Sequence, residues 1–336
     1  MGPDFAFVTR VGLSGESLVV IGSGDPLLGD KETDARNGHR RPPVLRDIID
    51  RFKESGVVSL SDIILDGSVF DEQRVHPGWP ANQLNQKYAC EVSGLNYRGK
   101  CADVAVLNQG GRIVISLEPP TEYVNLINAV RPRSYGRSRI SLDRTEVPGE
   151  LIVSGTCRDR AGPYSFAVEN PALFFSHLLR DGLVKAGIRV TGQILERPMP
   201  DDADYRPLAE YRTLLGDCLM MANKESLGLA AEALFKRLGA QANPDGRGGS
   251  WESGRRVLGR VRAKSGYLKA VRALSGVVRT DGGDYFFSFL ANRGGNGTRL
   301  AIDAAVKAIV DWGAAPANPS VMKTPPGRRG HAAAIS

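Results

Sequence analysis

The sequence is poor in the patterns that announce a metal or a cofactor. Its four cysteines, Cys90, Cys101, Cys157 and Cys218, contain no CxxC pair, and its four histidines no HExxH. A zinc site therefore has no support, and neither a metal nor an organic cofactor is expected. No GxSxG elbow is present, which argues against an α/β-hydrolase. No run of eighteen apolar residues occurs, so no membrane-spanning helix is expected. The opening residues, MGPDFAF, have neither the basic nor the long apolar stretch of a signal peptide. Taken at face value, that start predicts a cytoplasmic chain. No internal repeat is visible.

What is present is the mixture of a folded protein, with 42% hydrophobic and 24% charged residues. A chain of 336 residues exceeds what one core usually holds, so two domains are expected. The net charge of +7 is concentrated in two stretches. One holds Arg36, Arg40, Arg41 and Arg46, the other Arg131, Arg133, Arg137, Arg139 and Arg144. Neither is interleaved with the aromatic platforms of single-strand binders, and no zinc-finger or helix-turn-helix spacing accompanies them. No nucleic-acid partner is expected, and both stretches read as solvated loops. Cys90 and Cys101 flank a turn-rich segment with Gly94, Asn96 and Gly99. A disulfide could close it for about 3 kcal/mol in an oxidising compartment; two buried thiols are the other reading.

The pattern along the chain is β-rich first and helical later. Residues 17–21 (SLVVI) read as a buried strand followed by the turn GSGDP. Residues 62–65, 102–107, 112–117 and 150–154 are further short strands, and the prolines of HPGWP exclude regular structure there. From Pro171, ALFFSHLLRDGLVKAG has helical spacing and ends at Gly187, with GIRVTGQI following as a strand. A proline- and aspartate-rich loop then marks a boundary near residue 202. In SLGLAAEALFKRLG, Ser226 predicts an N-cap, Leu227, Ala230, Ala231, Leu234 and Leu238 an apolar face, and Gly239 the end. Residues 242–256 read as a loop, 260–263, 273–279 and 285–292 as strands of an antiparallel sheet, and 301–312 as a closing helix.

GSGDP is only a partial dinucleotide loop. Leu27 stands at the third glycine position, and Asp25 and Pro26 would oppose a pyrophosphate. More telling is Lys264-Ser265-Gly266 at the end of a strand. A lysine, a hydroxyl and a glycine there supply positive potential, a donor for a carboxylate and backbone that a peptide can approach.

Taken in order, GSGDP, LDGSVFDE, HPGWP, YACEVSGLN, VENPALFFSHLLRDGLVKAGIRVTG, NKESLGLAAEALFKRLG, GSWESGRR and RVRAKSGYLKAVRALSGVV resemble the class C low-molecular-mass penicillin-binding proteins. This is the D-alanyl-D-alanine carboxypeptidase/endopeptidase family, and the resemblance runs from about Phe5 to Trp312.

The resemblance implies an α/β (α+β) fold: a penicillin-recognising, serine transpeptidase/β-lactamase-like domain carrying a β-rich accessory insertion. It places the accessory region at 1–202, a remnant of the recognising domain at 203–313, and a disordered tail at 314–336. It implies peptidoglycan D-Ala-D-Ala peptides and β-lactams as partners, a periplasmic or cell-envelope location, and no cofactor. The family uses a Ser-x-x-Lys nucleophile, a Ser-x-Asn loop and a Lys-Thr-Gly strand. Lys264, Ser265 and Gly266 match the third, with the Tyr267 N–H as half of an oxyanion hole. Ser226-Leu227-Gly228 matches the second, keeping the proton-relaying serine and replacing asparagine by glycine. The first would precede the stretch that resembles residues 5–25. Within these residues the sole Ser-x-x-Lys is Ser320 to Lys323, followed by Pro325 and Pro326, which forbid the helix such a pair needs. A family stretch between GSWESGRR and RVRAKSG also has no counterpart. Two readings follow: a serine carboxypeptidase whose nucleophile lies outside these residues, and a non-catalytic peptidoglycan-peptide binder or decaying paralogue.

Overall fold

A computed structural model describes residues 4–31, 33, 43–200, 204–257, 261–268, 271–280, 283–292 and 296–313. The expected tail at 314–336, with Ser320, lies outside the described residues. The chain forms two compact units, Met1–Gly254 and Arg255–Ser336. The boundary expected from sequence at 202/203 falls inside the first, because the strand beyond it pairs with the first strand of the chain.

That pairing builds a mixed five-stranded sheet from β1 (Ala6–Ser14), β2 (Ser17–Ile21), β4 (Ile63–Asp66), β12 (Ile194–Glu196) and β13 (Arg206–Leu214), in the order β12-β4-β2-β1-β13. β1 is antiparallel to both β2 and β13, while β4 is parallel to β2 and β12. Two helices cover it, α1 (Val44–Glu54) and α2 (Pro171–Lys185). α2 starts where sequence chemistry says it should: Asn170 Oδ1 accepts from the Leu173 N–H at 3.1 Å and Pro171 occupies the first turn. Phe174, Phe175, Leu178, Leu179 and Leu183 then bury their side chains in one core with Val11, Leu18, Ile48, Phe52 and Ile63. The single strand expected in GIRVTGQI divides in two. β11 (Arg189–Val190) joins β3 (Ser59–Leu60), and β12 joins β4.

Residues 101–167 form an accessory module of two three-stranded sheets, with orders β10-β5-β6 and β7-β9-β8. Its strands are β5 (Cys101–Gln109), β6 (Arg112–Glu118), β7 (Asn125–Pro132), β8 (Arg139–Arg144), β9 (Glu150–Cys157) and β10 (Arg160–Ala167). Alternate residues such as Val104, Val106, Leu151 and Val153 are buried in the core.

The helical end of the unit comprises α3 (Leu215–Lys224), α4 (Gly228–Ala242) and α5 (Trp251–Val257), and here four expectations are corrected. Ser226 is not the N-cap of α4. Only residues 225–227 separate α3 from α4, so Ser226 turns the chain with φ 53°, and Leu227 takes the cap position. The buried face is Leu229, Ala230, Ala233, Leu234 and Ala240, with Ala231 exposed. Gly239 does not end the helix. A Cβ there would collide with Ser253 Oγ and the Gly254 backbone nitrogen, so the glycine admits α5 against α4. The loop expected at 242–256 thus contains a helix. Ser250 and Ser253 start it with reciprocal bonds, Ser253 N to Ser250 Oγ and Ser250 N to Ser253 Oγ, both 2.9 Å.

The second unit is an antiparallel meander, β14 (Val261–Leu268), β15 (Val271–Thr280) and β16 (Gly283–Asn292), followed by α6 (Asn296–Gly313). Val278, Phe287 and Val306 form its core. All three expected strands and the closing helix are present.

Candidate functional site

Ser226 lines a cleft of about 440 Å³ in the first unit. Among the segments that meet there are the α3–α4 turn with Glu225 to Gly228, Asp30 and Lys31, the segment at Lys87 and Tyr88, the turn at Arg98 and Gly99, and Asp103 with Ser165 on β5 and β10. Ser226 is exposed, and its hydroxyl makes no hydrogen bond among the described residues. Left-handed geometry at a serine is costly and tends to persist where surrounding structure imposes it.

Arg98 and Gly99 of the cleft belong to a turn of three consecutive left-handed residues, Arg98 (φ 52°), Gly99 (φ 61°) and Lys100 (φ 59°). It sends neighbouring cations in different directions. Arg98 reaches Asp103 at 3.5 Å and Glu118 at 3.7 Å, and Ser165 Oγ donates to Asp103 at 2.5 Å. Lys100 points into the interior, fully buried, and its ammonium lacks a hydrogen-bond partner among the described residues. Burial pulls its pKa down to about 8, partly offset by nearby Cys90 and Glu91.

Both thiols next to Lys100 are free. Cys90, Cys101, Cys157 and Cys218 are all buried and unbonded, so of the two readings of Cys90 and Cys101 the structure shows the thiols. Burial raises both thiol pKa values, that of Cys101 to about 12. These are poor nucleophiles.

GSGDP has a packing role. Gly22 lies against the Gly94 carbonyl, where any Cβ would clash. Asp25 is buried, accepting from Leu27 N at 2.9 Å and Thr213 Oγ1 at 2.6 Å. Burial pushes its pKa up to about 6.

A second polar cluster sits behind α4. The fully buried Lys236 side chain meets Asp71 at 2.6 Å and donates to the Gln73 carbonyl at 2.8 Å. It also lies 4.3 Å from the Trp251 ring centroid. Trp251 Nε1 donates to Glu232 at 2.5 Å, and His76 and Trp79 pack on the same indole. This cluster fixes the HPGWP loop to α4 and α5.

Of the sequence-derived site, Ser226 lies in the cleft of the first unit. Lys264, Ser265, Gly266 and Tyr267 lie on β14, in register with Ser275, Leu274, Ala273 and Arg272 of β15. β14 is an edge strand of its sheet among the described residues; the side chains of Lys264, Ser265 and Tyr267 lie outside them. Arg98, Asp103, Ser165, Lys87 and Tyr88 were not singled out by sequence. The NYRGK turn is their one local signal, a glycine between two cations. Among the described residues no group of His, Cys, Asp or Glu could hold a metal, and no helix is long and apolar enough to cross a membrane.

Comparison with known proteins gives a consistent picture. The D-Ala-D-Ala carboxypeptidase 3 (S13) family model matches in two stretches, residues 1–259 and 245–314. A curated D-alanyl-D-alanine carboxypeptidase from Actinomadura sp. (strain R39) is 26% identical over 288 residues, covering 79% of this chain and 50% of its own length. The chain thus spans about half the length of that relative. Penicillin binding protein 4 of Haemophilus influenzae superposes with a TM-score of 0.61 at 19% identity, covering 88% of this chain and 82% of that one. The same protein complexed with a β-lactam gives a TM-score of 0.56 at 17% identity, covering 92% and 87%. These structures share the mixed α/β, penicillin-recognising fold.

Proposed function

From the membership of this chain in the D-Ala-D-Ala carboxypeptidase 3 (S13) family, we propose that it recognises peptidoglycan stem peptides ending in D-Ala-D-Ala. The observation that carries this reading is the family match over both units, which takes in the Ser226 turn and the Lys264 strand. In this reading, Lys264 and Ser265 hold the terminal carboxylate by charge and hydrogen bonding. The free edge of β14 lets the peptide backbone pair alongside, and Gly266 leaves room for it. Tyr267 N–H would polarise the scissile carbonyl. Ser226, which by family resemblance is the proton-relaying serine, lines the cleft of the first unit. Family members work in the periplasm or cell envelope, and β-lactams are expected as ligands alongside the peptides.

In relatives an activated serine attacks the D-Ala-D-Ala carbonyl, forms an acyl-enzyme and yields it to water. The only Ser-x-x-Lys among these 336 residues is Ser320 to Lys323, before two prolines. We therefore read these 336 residues as the peptide-recognising part of a D-Ala-D-Ala carboxypeptidase homologue, with no helix-borne Ser-x-x-Lys among them. The second reading, a decaying paralogue, retains no peptide recognition.

Titration with a D-Ala-D-Ala peptide and its C-terminal amide separates them. Retained recognition predicts that the free acid binds better by about tenfold, the worth of one charged hydrogen bond, and that Lys264→Ala erases the difference. Equal binding of acid and amide by the parent chain, or no effect of Lys264→Ala, would overturn the assignment.

A further inference from the structure

The accessory module is electrically polarised. Residues 101–167 contain eight arginines, no lysine and seven acids. Seven of the arginines lie at one end, on three neighbouring turns. Arg112 follows the β5–β6 turn, Arg131, Arg133, Arg137 and Arg139 bracket the β7–β8 connection, and Arg158 and Arg160 bracket the β9–β10 turn. Register and hydrogen bonds bring these turns together. Arg131 on β7 and Arg139 on β8 flank the same residue of β9, Thr156. Asn108 Nδ2 donates to the Arg158 carbonyl at 2.7 Å, Asn108 N donates to the Asp159 carbonyl at 2.8 Å, and Arg158 N donates to Ser138 Oγ at 3.0 Å. The one acid at this end, Asp159, is paired with Arg158 at 2.6 Å.

The other acids, Asp103, Glu118, Glu122, Asp143, Glu146 and Glu150, lie at the opposite end or in its connections. That end is tied to the rest of the unit, by Asn85 Nδ2 to the Leu142 carbonyl at 2.6 Å and by Ala167 N to the Asn85 carbonyl at 2.9 Å. The basic end carries an aromatic at its tip. Tyr135 in the β7–β8 connection is 76% exposed, with the Arg133 guanidinium 5.3 Å from its ring centroid.

We propose that this arginine tip is a docking surface for an anionic phospholipid bilayer. The turns gather seven arginines around one exposed aromatic ring rather than along a row of aromatic platforms. Guanidinium groups match phosphate geometry, juxtamembrane basic clusters are held by anionic headgroups, and an exposed tyrosine flanked by cations suits the headgroup layer. The sequence reading of solvated loops rested on one stretch. Folding adds Arg112, Arg158 and Arg160 to it and removes the acids to the far end. The inference stands independently of peptide recognition.

Co-sedimentation of the full chain with vesicles tests it. Phosphatidylcholine–phosphatidylglycerol vesicles should bind the chain, phosphatidylcholine vesicles should not, and salt should release it. Arg131→Glu/Arg137→Glu/Arg139→Glu should weaken binding at least about tenfold. Lys53→Glu/Lys185→Glu/Arg189→Glu, with the same change in net charge on exposed residues elsewhere, should leave it unchanged. Tyr135→Ser should weaken vesicle binding alone. Equal losses in the two triple variants would overturn the proposal. So would soluble polyphosphate binding as tightly as vesicles with Tyr135→Ser silent in both, which would assign the tip to a phosphate polymer.

Discussion

Lys100 shows how much a single residue can hold against the fold. Its ammonium is buried without a hydrogen-bond partner among the described residues. With the folded pKa near 8 against 10.5 for the free side chain, the folded state releases the proton more readily than the unfolded one. Stability from this residue is therefore fully present only above pH 10.5 and is lost as pH falls through 8. The difference is roughly 3 kcal/mol at neutral pH, at 1.36 kcal/mol per pKa unit. Lys100→Met, similar in length and apolar, should raise the denaturant midpoint at pH 7 and flatten the rise in stability between pH 8 and 10.5. A less stable variant at pH 7 would show that the ammonium has a compensating partner. Lys236, equally buried, is the contrasting case: with Asp71, the Gln73 carbonyl and the Trp251 ring around it, it joins three segments.

Among the elements, the junction of α4 and α5 separates what sequence reveals from what packing decides. Gly239 reads as a helix stop because glycine commonly follows a last helical turn. The helix instead runs to Ala242, since α5 approaches at that position. The two readings predict opposite signs for Gly239→Ala. A mere interruption would give about 1 kcal/mol of added stability from helix propensity. The close approach predicts a loss of roughly 1–3 kcal/mol from overpacking, measured by urea unfolding. Strands with apolar runs and turn signals, such as β2, β5, β15 and β16, were legible from pattern alone. So was α2, through its apolar spacing from Pro171, whereas the Asn170 cap emerged only in the structure. The Ser250–Ser253 box was also present in the sequence, but the surrounding glycines masked the short helix it starts. The cleft was only half legible. Ser226 came from a resemblance in one segment, whereas Arg98, Asp103 and Ser165 meet it through a left-handed turn and a strand pairing that no local pattern encodes.

At the scale of the whole molecule, the family match falls in two stretches that overlap at 245–259. By resemblance, that is also the region in which a family stretch between GSWESGRR and RVRAKSG has no counterpart. The first unit holds the cleft with Ser226, and the second holds the Lys264 strand. Each unit thus carries one of the two segments proposed for D-Ala-D-Ala recognition, and the sole Ser-x-x-Lys among the 336 residues is the proline-flanked Ser320 to Lys323. Intact-mass spectrometry of the purified polypeptide after incubation with excess penicillin tests this most directly. The account predicts an unchanged mass at saturating antibiotic. A mass increased by one penicilloyl group on any serine would contradict it, and an adduct on Ser320 would show that the region after residue 313 builds the nucleophile.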